Sequence, residues 1–129
     1  FPNVARKNGG FGYITKAQAI CGTTGLTPRL TLYLYRSLPT SVLNDNVANT
    51  ALLSADLANY VSKIDFPALE DLGGNSEVVA TPNTSGNLPL AFDCAADSRD
   101  LIGILVTKDA ITGESARMNM TIVIVVEQY

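Results

Sequence analysis

Apolar residues recur along this chain with a period of two, and nowhere with the sustained 3.6-residue period of a long helix. The pattern is strongest in residues 117–127. There Met118, Met120, Ile122, Ile124 and Val126 fall on one face and Asn119, Thr121, Val123 and Val125 on the other, so both faces become apolar toward the end. Such a strand is expected at the centre of a sheet, covered on both sides. Residues 29–36 repeat the period. Leu30, Leu32 and Leu34 point one way, while Arg29, Thr31, Tyr33 and Tyr35 point the other, as a half-buried strand requires.

Further strands are expected over residues 13–20, 61–66, 77–81, 88–94 and 101–107. Turn signals separate them: Gly22 with Gly25, Pro67, Leu72-Gly73-Gly74-Asn75, the polar stretch 82–87, and Thr112-Gly113-Glu114-Ser115. Residues 37–49, with Pro39 and several Asn, read as a long loop. A single helical turn is expected after it, capped by Ser54 and pinned by Leu53, Leu57 and Tyr60. A length of 129 residues gives one domain. The expected fold is mainly β: a single antiparallel β-sandwich, jelly-roll-like, with one short helix. Residues 1–10, containing Pro2 and Asn8-Gly9-Gly10, have little to bury and are expected to form an extended N-terminal arm on a domain spanning 11–129.

Composition narrows the chemistry. There is no His and no Trp, which removes Ser-His-Asp and Cys-His catalysis and any His-ligated zinc. Cys21 and Cys94 stand far apart with no CxxC, so buried free thiols are favoured over a disulfide or a metal site. Asp65 with Glu70 and Asp71, and Asp93 with Asp97 and Asp100, were weighed as paired catalytic carboxylates, but each group flanks a turn, where Asp bonds to backbone. Asn44-Asp45-Asn46 lacks the spacing of a calcium loop. Lys7 precedes Gly9, Gly10 and Gly12 instead of following them, so no phosphate-binding loop is present. No catalytic, cofactor-binding or metal-ligating residue is assigned, and no enzyme is expected.

The net charge of −3 hides an asymmetry. Residues 1–36 carry Arg6, Lys7, Lys16, Arg29 and Arg36 and no acid; all twelve acids follow. Complementary contact is expected, between folded parts of one chain or between one copy's arm and another copy's body. Five dispersed cations on an acidic protein make a poor footprint for nucleic acid. No apolar run approaches the roughly 20 residues of a membrane span, and the first residues lack the apolar core of a signal peptide. Because Phe1 is not an initiator Met, the chain is expected to be processed or trimmed.

Several segments, taken in order, carry a resemblance: RLTLYLYRSLPT, NDNVANT, LLSADLANYVSKIDF, and the closing LIGILVTKDAITGESARMNMTIVIVVEQ. Over roughly residues 29–128 the chain resembles small structural proteins encoded among the head genes of tailed bacteriophages. The resemblance implies a capsid decoration (cement) protein, made in the host cytoplasm and carried on the virion surface. It would bind the major capsid protein and neighbouring copies of itself, with a trimer favoured by analogy. The residues expected to make such contacts are Phe1, Val4, Arg6, Lys7 and Phe11 of the arm and its junction, the arm ordering as it docks. Tyr33 and Tyr35, sharing one strand face, are the other candidate contact. The alternatives are another virion part, such as a head-fibre base or tail protein, and a carbohydrate-binding module that stacks sugars on Tyr33 and Tyr35.

Overall fold

The strand Phe11–Cys21 (β1) is the spine of the first sheet. Gly12 and Ile14 face inward, a bulge between Ile14 and Lys16 resets the phase, and Ala17, Ala19 and Cys21 then face inward again. One inserted residue is what a β-bulge supplies, and it lets a single long strand keep its small apolar side on the core. The last strand, Met120–Gln128, runs antiparallel along β1 from Gly12 to Cys21. Since that pairing occupies one edge of β1, the strands Ser76–Ala80 and Leu90–Asp93 lie end to end along the other. A two-residue strand, Glu70–Asp71, completes this sheet beyond Ser76–Ala80. The structure, a computed structural model, describes residues 1–22, 26–41, 47–84, 87–111 and 119–129.

In chain order the strands are β1, then β2 (Leu30–Tyr35), β3 (Tyr60–Phe66), β4 (Glu70–Asp71), β5 (Ser76–Ala80), β6 (Leu90–Asp93), β7 (Ile102–Thr107) and β8 (Met120–Gln128). The second sheet has the order β3-β2-β7, again antiparallel. Leu30, Leu32 and Leu34 of β2 meet Ile14, Ala17 and Ala19 of β1 in one apolar core, which also takes in Ile64, Phe66, Ala80, Leu90, Phe92 and Leu101. The protein is mainly β, with two antiparallel sheets sharing that core. Between β4 and β5, Gly73 adopts a positive φ of 90° and Leu72 N–H donates to Asn75 O, closing the expected turn.

Four expectations change. Residues 1–10 do not stand away from the body. Phe1 and Leu101 exchange backbone hydrogen bonds, Ala5 N–H donates to Arg99 O, Gly9 N–H to Ser98 O, and Cys94 N–H to Gly10 O. Val4 and Ala5 are buried, so this segment has apolar surface to hide and folds along residues 94–101. The β2 strand is not half-buried: Thr31 and Tyr35 are covered on its polar side as well. The strand β8, expected at the centre of a sheet, pairs only with β1 among the described residues and lies at an edge.

The fourth change concerns the helical turn. It is a 3₁₀ turn, Ser54–Asp56, with Leu53 at the N-cap position and no side-chain cap. Leu53 and Leu57 are exposed; what holds the turn is buried Asp56, whose Oδ1 accepts from Thr40 N–H and Oγ1. This excursion between β2 and β3 is closed by Arg36. Its N–H donates to Asn59 O and its guanidinium to the carbonyls of Ala58 and Tyr60. The Asn44-Asp45-Asn46 loop, the Thr112-Gly113-Glu114-Ser115 connector and Met118 lie outside the described residues.

Candidate protein interface

Alternation along the start of β1 buries Gly12 and Ile14 and turns Phe11 and Tyr13 outward. Tyr129, just past β8, is brought beside them because its N–H donates to Phe11 O. The Phe11 and Tyr129 rings stack with centroids 6.1 Å apart and planes 6° from parallel, and Tyr13 meets Tyr129 edge-on at 5.8 Å. Both arrangements suit the ring quadrupoles. Phe11 is 53% exposed and Tyr129 56%, so this is an outward aromatic cluster and not a core one. Beside it lies a shallow hollow of about 260 Å³, lined by Phe11, Gly12, Tyr13, Ala91, Phe92 and Asp93.

The rim is acidic. Asp93 sits opposite Phe11 in the β1–β6 register and is held by Arg36, with Nη2 to Oδ1 at 2.5 Å. Glu127 sits opposite Tyr13 and accepts a hydrogen bond from the Tyr129 hydroxyl at 3.2 Å. The Glu127 charge pushes that hydroxyl's pKa up, so the ring stays neutral and able to donate. From the cluster the same face of β8 continues through Val125 and Val123, both more than two-fifths exposed. An aromatic and aliphatic stripe bordered by Asp93, Glu127 and, opposite Val125, Lys16 suits a protein surface that carries apolar groups and charges of both signs.

Of the residues singled out in the sequence, Phe11 belongs to this surface. Arg6 and Lys7 are exposed on the folded N-terminal segment, and no acid pairs with either among the described residues. Phe1 and Val4 are corrections: Val4 is buried in the core, and Phe1 is half-buried with its ring against Gly103. Tyr33 and Tyr35 are corrections too. Tyr35 is fully buried, 5.5 Å from the Tyr60 ring, and Tyr33 is half-buried between Lys63 and Ile104 on the second sheet. They offer no open platform for a sugar. Burial raises the Tyr35 pKa, with the Asp56 charge adding to it.

Sequence reasoning missed Tyr13 and Tyr129. The Phe11-Gly12-Tyr13 alternation was a usable signal for the first, but Tyr129 joins only through strand register.

Four of the six grouped carboxylates, Asp65, Asp71, Asp93 and Asp100, have structural partners, with Asp71 accepting from Gly73 N–H and Asp93 from Arg36. Asp65 accepts from Thr31 Oγ1 and pairs with Lys63 and Lys108, each at 2.8 Å. Asp100 accepts from Asn3 N–H at 2.7 Å. Among the described residues no group of three or more potential ligand side chains converges on a metal-sized site. Cys21 and Cys94 are both free and buried, and burial pushes the Cys94 thiol pKa up. Among the described residues no helix is long and apolar enough to cross a membrane. No family model, curated protein or solved structure matches the chain.

Proposed function

We propose that this chain is a structural virion protein, a capsid decoration (cement) protein of a tailed phage, built as a jelly-roll-like β-sandwich. It sits on the outer surface of the head and stabilises junctions between major capsid subunits. The observation that carries this reading is the outward stripe of Phe11, Tyr13 and Tyr129 running on to Val125 and Val123. Exposed aromatic and aliphatic side chains grouped on one face of a small acidic domain, with Glu127 and Lys16 set among them, mark a contact surface, because covering them removes apolar area from water. The order of segments over residues 29–128 that resembles phage head proteins supports the same reading. Repetition over a lattice makes such a modest contact hold, since neighbouring copies act together.

Co-sedimentation with bare heads of the phage that encodes the chain tests it. The wild type should bind saturably, and a Tyr13→Ser/Tyr129→Ser double variant should lose at least about tenfold in affinity, as two truncated aromatic anchors imply. Both rings are exposed, so the variant's circular dichroism should not change. Equal binding by wild type and variant, or no binding by either, refutes the assignment.

A further inference from the structure

We propose that β8 is completed by a second copy of this chain: two β8 strands pair antiparallel about a twofold axis at Ile124, joining two five-stranded sheets into one. The first observation is the conflict between sequence and fold. Residues 120–126 are apolar on both faces, as in a strand flanked on either side, yet β8 has one neighbour among the described residues. Its core-facing side chains, Met120, Ile122, Ile124 and Val126, are only half-buried, whereas Ala17 and Ala19 opposite them on β1 are fully buried. Val123 and Val125 on the other face are 41% and 45% exposed.

The peptide groups show which way the free edge faces. Gly22 N–H donates to Asn119 O at one end of the ladder and Tyr129 N–H to Phe11 O at the other. Odd-numbered residues therefore turn their peptide groups toward β1. The N–H and C=O groups of Met120, Ile122, Ile124, Val126 and Gln128 point to the open edge. Natural sheet edges are ordinarily short, charged, bulged or covered, because a bare one recruits another strand.

The other edge strands, β3, β4, β6 and β7, are all shorter than β8, with four residues in β6 and six in β7. The β4 strand has two residues, both acids. The β3 strand carries Lys63 and Asp65, and the Asn87 side-chain amide caps Lys63 O. At the head of β7, Phe1 pairs with Leu101 and lays its ring on Gly103. The β8 edge has nine residues with no Lys, Arg, Pro or Gly.

The occupant is identified by self-complementarity. An axis at Ile124 sets Met120 against Gln128, Thr121 against Glu127, Ile122 against Val126 and Val123 against Val125, with every outward peptide group paired. The one charge in the strand meets a hydroxyl, and no like charges face each other, which would weaken a cross-strand pair. The valines of both copies then form one patch on the outer face. Such a contact closes on itself at two chains. In a cyclic trimer, β8 would have to use a different edge of its neighbour, and each of those is short, charged or partly covered.

The test uses the intact chain, and it reads self-association without any capsid, so its outcome is separate from that of head binding. Light scattering at tens of micromolar should give twice the 13.7 kDa chain mass. Val123→Lys, at an exposed position, should give a folded monomer by circular dichroism. Hydrogen exchange at the Ile122, Ile124 and Val126 amides should be at least about tenfold faster in that variant, while amides facing β1 stay protected. A wild-type mass of one or three chains overturns the proposal. So does a dimer whose Ile122, Ile124 and Val126 amides exchange as fast as those of the variant.

Discussion

Two glycines separate a rigid neighbour from a yielding one. A Cβ on Gly12 would lie 2.2 Å from the backbone oxygen of Glu127 and 3.0 Å from the Phe92 ring. Backbone at this end of the β1–β8 ladder, held by the Tyr129 N–H to Phe11 O bond, cannot step aside without parting the two strands. A Cβ on Gly103 would lie 2.6 Å from Phe1 Cε2, the edge of a half-buried ring that can swing outward. Gly12→Ala is therefore expected to cost about 2–3 kcal/mol and Gly103→Ala less than about 1, both within the overpacking range. Urea unfolding of the two variants measures the difference, and equal costs would mean that the Phe1 ring is as fixed as the sheet. At this scale the candidate surface was only partly readable. Phe11 could be picked out as an apolar anchor at the junction of the N-terminal segment, but its partner Tyr129 is 118 positions away and is placed by register alone.

Strand positions were legible because a period of two survives wherever one side of a strand meets the core. The observed β2, β3, β5, β6 and β7 fall within a residue or two of expectation. Neighbours were not legible, since they depend on what covers a face. Thr31 and Tyr35 look like the polar side of a half-buried strand, but Tyr35 is fully buried with the Tyr60 ring beside it, and Asp65 bonds Thr31. The N-terminal segment deceived for a related reason. Asn8-Gly9-Gly10 signals irregular backbone correctly, yet irregular backbone can be tied down, and here Gly9, at φ 66°, donates to both Ala95 O and Ser98 O.

Deleting residues 1–10 is therefore expected to weaken the fold itself. An arm that only docks could be removed without harm to the fold. A segment that buries Val4 and Ala5 and half-buries Phe1 should cost about 3 kcal/mol when it is lost, from side-chain burial alone. Thermal unfolding of the truncated chain should show a midpoint lower by many degrees. An unchanged midpoint would mean that the segment and the sheets unfold independently.

For the whole molecule, two of the early cations, Arg29 and Arg36, meet late acids within one chain. Arg29 pairs with Asp109 at 2.8 Å and Arg36 with Asp93, whereas Asp65 is held by Lys63 and Lys108, both beyond the acid-free stretch. Desolvation by itself would raise the Asp65 pKa. Hydrogen bonds from Lys108, Lys63 and Thr31 together outweigh it and hold the carboxyl at about 2. Asp109 is likewise held at about 2, chiefly by the Arg29 side chain. In the unfolded chain both carboxyls return to the ordinary range near 4.

The folded state therefore binds fewer protons than the unfolded one between about pH 4 and pH 2, so stability falls as pH falls through that window. Above it the contribution is fully present. Both sites are about two-fifths exposed, so salt screens them and the loss per site is modest. Unfolding midpoints measured from pH 6 to pH 2 should be level at first and then drop below about pH 4. Asp65→Asn should lower the plateau and flatten the descent, because the variant has one fewer proton to take up on unfolding. A variant with a descent as steep as the wild type's would show that the Lys63–Asp65–Lys108 cluster does not contribute to the acid stability of the fold.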